Sequence, residues 1–113
     1  MTRDQALKLL LQNMENQNLR RHCYAVEAVM KALAKKLGGD EEKWGLVGLL
    51  HDADYEKTKD KPEEHTLLTY QWLKDVGEKD EAILNAILSH NYAHTGKNKP
   101  ANKMEWALSV SYT

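Results

Sequence analysis

Apolar residues recur three and four positions apart along almost the whole chain, a spacing that only a helix gathers onto one side. Ala6, Leu7, Leu10, Leu11 and Met14 trace the first such face, behind Thr2 and Gln5, which have the reciprocal pattern of a capping box. Asn16-Gln17-Asn18 is a polar break. A second helix is expected from about Leu19 to Leu37, with His22, Val26, Val29, Leu33 and Leu37 as its stripe and Gly38-Gly39 as its stop. Asp40 suits the N-cap of a third helix, where Trp44, Val47, Leu50 and His51 share a side. The run from Gly45 to Leu50 is apolar almost all round, which places this helix at the centre. Gly45 and Gly48 weaken a helix, so a closely packed neighbour is the expected reason for them.

Residues 54–61 are charged and lack an apolar period, and read as a loop. Pro62 fits the first turn of a fourth helix with His65, Leu68, Thr69, Trp72 and Val76 on its stripe and Gly77 as its stop. A fifth helix from about Asp80 carries Ile83, Ala86, Ile87 and His90. Asn91 to Ala101 reads as a loop. Asn102 with Glu105 resembles another capping box, opening a last helix with Met104, Ala107 and Leu108. With two prolines, no Phe and no β-branched run, the expectation is an all-α fold, a compact helical bundle of about five to six helices. The length, 113 residues, fits a single domain over 1–113.

Lys and Arg number 16 against 17 Asp and Glu, so no electrostatic case exists for a general nucleic-acid or membrane binder. The longest apolar run near the start, Leu9-Leu10-Leu11, is too short for a signal segment, and no stretch approaches a membrane span. The single cysteine, Cys23, cannot form an internal disulfide. A soluble, cytoplasmic protein is the resulting expectation.

The histidines carry the chemical information. Of the five, His22, His51, His65 and His90 fall on the apolar stripes of four different expected helices, and a bundle turns its stripes toward one interior. A lone histidine on such a face is ordinarily a core residue bonded to a main-chain carbonyl. Four together would repel one another if protonated and need partners if neutral. A metal ion answers both needs, because neutral imidazole is the commonest metal ligand. Asp52, directly after His51 at the end of an apolar run, supplies the carboxylate a cation would neutralise. His94 reads as an exposed polar residue in or near a loop. Cys23 points about a third of a turn from His22 and is not counted as a ligand. Trp44 and Trp72 read as core.

These residues resemble the HD superfamily of metal-dependent phosphohydrolases. The segment from Leu19 to Val26 around His22 is similar to the family's first histidine helix. Gly48-Leu49-Leu50-His51-Asp52-Ala53-Asp54-Tyr55 resembles its signature, and Glu64-His65 and Ser89-His90-Asn91 resemble the additional histidines of its two-metal members. The resemblance spans about residues 19 to 108. It implies that His22, His51 and Asp52 bind a first metal and that Asp52 bridges to a second held by His65 and His90. Divalent transition metals (iron, manganese, nickel, cobalt or zinc) suit such mixed nitrogen and oxygen ligands. It further implies hydrolysis of a phosphate ester, with a small phosphorylated substrate such as a nucleotide as partner.

The chain departs from the family at its end. The family closes its motif with an Asp on a later helix, whereas no Asp or Glu follows Glu105 here. The C-terminal part of the family domain is therefore expected to be missing. A water, Glu105 or a residue of another copy would fill the position, and a cut bundle would expose an apolar face that favours a homo-oligomer. Two other functions stay open: a non-catalytic metal-binding or assembly domain of the HD fold, and a di-iron oxygenase of that fold. Asp52 and Asp54 are the catalytic candidates, Asp54 as general acid or base. Glu56 lies one residue beyond the position where some relatives place a catalytic Glu. Arg20, Arg21, Lys57 and Lys59 flank the site in sequence and are candidates for holding phosphate.

Overall fold

A computed structural model describes residues 1–90 and 100–111. His94, most of the expected loop after His90, and the last two residues lie outside the described residues. Among those described there is no strand. The helices are α1 (Arg3–Asn13), α2 (Gln17–Leu37), α3 (Glu41–Leu50), α4 (Tyr55–Thr58), α5 (Leu67–Asp75), α6 (Glu81–Ser89) and α7 (Lys103–Ser111), with a 3₁₀ turn at Pro62–Glu64. The expected all-α bundle is what forms; one-turn α4 is the element not foreseen.

Local chemistry sets most helix ends. Thr2 Oγ1 accepts from the Gln5 amide (3.2 Å) while Gln5 Oε1 accepts from the Thr2 amide (2.8 Å), a complete capping box. Asn16 caps α2 through the Leu19 amide, so the polar break is short and Gln17 and Asn18 already lie in the helix. Gly38, with φ of 78°, closes α2 in the left-handed conformation that glycine adopts without strain. Asp40 caps α3 through Lys43, and Asp80 caps α6 through Ala82. At α7, Asn102 Oδ1 accepts from the Glu105 amide, and the Glu105 carboxylate accepts in return from Asn102 Nδ2 and the Ala101 amide.

Helix α3 is buried on every side, from Trp44 to Leu50, and lies against α2, with α1, α6 and α7 around it. At Gly48 the main chains of α2 and α3 approach closely: a Cβ there would sit 2.9 Å from the Val26 carbonyl oxygen and 3.0 Å from Glu27 Cα. Gly45 faces only the flexible stem of Lys31.

The buried face of α2 is rotated from the expected one. Cys23, Val26, Met30 and Ala34 line the core, whereas Val29 and Leu37 are 42% and 44% exposed. Glu27 goes inside with them because Arg3 of α1 clamps its carboxylate through Nε (2.7 Å) and Nη2 (3.0 Å). Leu33 and Leu37 instead line an apolar groove with Trp106 and Ala107 of α7.

Two further expectations are corrected. Residues 54–61 are not a plain loop: α4 forms there, with Asp54 and Thr58 buried and Thr58 Oγ1 donating to the Asp54 carbonyl (2.9 Å). The fourth expected helix does not start at Pro62. The 3₁₀ turn ends at Glu64, and Thr66, with φ of 72°, bends the chain before α5 begins at Leu67. A non-glycine residue held there stores backbone strain. The bend takes His65 off the helix face. No helix among the described residues is long and apolar enough to cross a membrane.

Candidate metal centre

Asp52 sits at the centre of the site. It follows His51, the residue that ends α3, in a tight turn held by the Ala53 amide on the Leu50 carbonyl (3.1 Å) and the Tyr55 amide on the Asp52 carbonyl (2.9 Å). His51 is fully buried and ties its Nδ1 to the Gly48 carbonyl at 2.6 Å, which leaves Nε2 facing Asp52 Oδ2 at 3.2 Å. His22, in the second turn of α2, brings its Nε2 to 3.6 Å from the same oxygen, with its side chain 40% exposed. His65, between the 3₁₀ turn and α5, and His90, which ends α6, each place Nε2 2.9 Å from the other oxygen, Oδ1. The rings are close neighbours, with centroids 5.4 Å apart for His22 and His51, 4.8 Å for His51 and His90, and 5.0 Å for His65 and His90.

The four histidines singled out from the sequence therefore meet around one carboxylate, though by a different route from the one expected. Only His22 lies within a helix. His51 and His90 stand at helix C-termini, and His65 in a turn. Helix ends let the chain turn a side chain across the end of the bundle instead of into the layer between helices.

Asp54 is also buried, and it meets the opposite nitrogen of the His65 ring from the one that meets Asp52. Its Oδ1 pairs with His65 Nδ1 at 2.7 Å and its Oδ2 accepts from the Thr69 amide at 3.1 Å. His65 is thus held between two carboxylates. Burial works against its charge, but the hydrogen bonds to Asp52 and Asp54 prevail and raise it to about 9. Burial likewise opposes ionisation of Asp52, and the bonds from His51, His65 and His90 outweigh it, holding the carboxyl far below the usual range. His90 goes the other way, pushed by burial down to about 4. The surroundings thus favour a positive charge on His65, beside Asp52, and disfavour one on His90. Burial, then the charge of Asp52, raises the Cys23 thiol to about 12, so it stays neutral and outside the donor set.

Two groups of donors result, both sharing Asp52: His22, His51 and Asp52, and Asp52, His65 and His90. Within each, one donor atom per residue lies within 4.8 Å of the others. Imidazole nitrogens around a carboxylate, three of the four rings well shielded from water, fit a borderline divalent transition metal.

Of the remaining candidates, Glu56, Arg20, Lys57 and Glu105 are occupied elsewhere, while Arg21 and Lys59 are exposed. Both oxygens of Glu56 accept main-chain amides, Glu15 at 2.9 Å and Asn16 at 2.6 Å, in the link between α1 and α2. Arg20 bonds the carbonyls of Met14 and Leu11, and Lys57 bonds Asn13 Oδ1 and lies over the Trp72 ring. Both brace the fold. Glu105 spends its oxygens on the cap of α7 and belongs to neither donor group. Three contributors had no signal in the sequence: the Gly48 carbonyl, the Thr69 amide, and Tyr55, whose ring is 42% exposed and meets His65 edge-on at 6.1 Å.

Residues 19–110 match the family model described as HD domain. Among curated proteins and among solved structures, nothing matches the chain.

Proposed function

The chain belongs to the HD domain family, and on that premise we propose that it is a metal-dependent phosphohydrolase acting on a small phosphate ester such as a nucleotide. The observation that carries the proposal is the convergence of four Nε2 atoms on the two oxygens of Asp52. His22, His51 and Asp52 hold one divalent transition metal, and Asp52, His65 and His90 a second. Bound there, such ions supply a water-derived nucleophile at neutral pH and neutralise phosphate oxygens.

The chain's own residues prepare that chemistry. His51 is fixed by the Gly48 carbonyl, so its Nε2 needs no reorientation to act as a donor. Asp54 is better read as the group that orients His65 than as a general acid or base, because both its oxygens are engaged. His22 lies on the open side of the cluster, where substrate enters.

The test is release of inorganic phosphate from a panel of nucleotides and simple phosphate esters, with manganese, nickel, cobalt, zinc or iron(II) supplied in turn to chelator-treated protein. Metal-dependent release that disappears in Asp52→Ala supports the reading. Protein that binds metal but releases nothing from any ester favours a non-catalytic HD-fold domain. Two equivalents of iron with an optical response to oxygen would instead favour the di-iron oxygenase.

A further inference from the structure

The two donor groups are alike in number and type, one carboxylate and two imidazoles each, but they are not alike in support. In the group with His22, the outermost ring is 40% exposed and its nitrogen is 3.6 Å from Asp52. In the other group, His65 and His90 are 12% and 6% exposed and both lie at 2.9 Å. His65 is further held from behind by a carboxylate, Asp54, which is itself fixed by the Thr69 amide. The ring supports differ in kind as well: His51 leans on a neutral carbonyl, His65 on an anion. A carboxylate behind a ligating histidine fixes the ring and makes its other nitrogen a stronger donor.

The geometry points to an order of loading: the Asp52, His65 and His90 group takes the first divalent ion, with Asp54 as its positioning residue, and the His22, His51 and Asp52 group takes a weaker second. This rests on the metal-centre reading above and adds which half of the centre governs affinity. Two features act in the same direction. The first group is nearly dry, so its attraction for a cation is little screened. The second gains no acid from the described part of α7, where the Glu105 carboxylate caps its own helix and belongs to neither donor group.

Titration of chelator-treated protein with cobalt(II), followed by calorimetry and by the visible d–d bands, tests it. Wild-type protein is expected to bind in two steps. His22→Ala should keep the first step and its spectrum and lose the second. Asp54→Asn should weaken the first step about 10- to 100-fold, the range for loss of a partner behind a metal ligand. His90→Gln, on a different helix, should remove the first step even if Asp54→Asn folds poorly, and circular dichroism reports the fold of each variant. Loss of the first step in His22→Ala, with that step intact in His90→Gln, overturns the order while leaving the metal centre standing. Absence of specific uptake by wild-type protein overturns both.

Discussion

The Nδ1 of His51 lies 2.6 Å from the carbonyl oxygen of Gly48, one turn earlier on the same helix. A carbonyl can only accept, so the ring carries its proton on Nδ1 and turns Nε2 toward Asp52. The same glycine sets the spacing of α2 and α3. The geometry of the candidate site and the packing of the core therefore meet at one residue.

Gly48→Ala should expose that link. Alanine gains about 1 kcal/mol of helix propensity over glycine. Its Cβ, however, would meet main-chain atoms of α2 at 2.9–3.0 Å, and overpacking against a rigid neighbour costs about 1–3 kcal/mol. A net loss of up to about 2 kcal/mol in denaturant unfolding is expected, together with weaker metal uptake. A raised midpoint with unchanged uptake would contradict the close approach.

Asp52→Ala should remove both equivalents of metal, since both donor groups share this carboxylate. His51→Ala should remove one. Elemental analysis after dialysis reads the difference directly, and two retained equivalents in Asp52→Ala would exclude the shared bridge.

Arg3→Ala should leave Glu27, which is 6% exposed, with Lys31 at 4.0 Å as its remaining ion-pair partner among the described residues. An ionised group left short of hydrogen bonds is destabilising, but Arg3 is nearly half in water and its contribution is screened. A loss of about 1 kcal/mol is expected in chemical denaturation. No change would mean that the clamp between α1 and α2 carries no stability.

Glu56 makes stability depend on acid. The amide of Glu15, then that of Asn16, holds its carboxyl below the ordinary value of 4.5. A depressed folded-state value means the stabilisation is complete above 4.5 and fades as pH falls through the folded value. The gap in unfolding free energy between wild type and Glu56→Gln should be flat from pH 6 to 8 and shrink below about pH 4.5. A gap that instead widens in acid would reverse the assigned sign.

The sequence announced helices well where a signal is local. The Thr2–Gln5 box, the Asp40 cap and the Gly38 stop each depend on neighbours a few positions away, and each is found as read. The histidine set was also legible, because four imidazoles at apolar positions need a common explanation. What stayed hidden depends on distant partners. The turn of α2 that buries Glu27 and exposes Val29 follows from Arg3, 24 residues earlier. The bend at Thr66 goes with the position of His65 between Asp52 and Asp54, and no local pattern marks a threonine for positive φ. Asp54 looked like a loop carboxylate for the same reason, since the amide that fixes it belongs to Thr69.

The donors come from four stretches of chain that begin with His22 and finish with His90. No unfolded segment holds more than a fragment of that set, so whatever occupies it binds the native state alone and draws the whole equilibrium toward folding. With metal bound as proposed, the cluster would act as a buckle on the bundle, and chelation should lower the melting temperature.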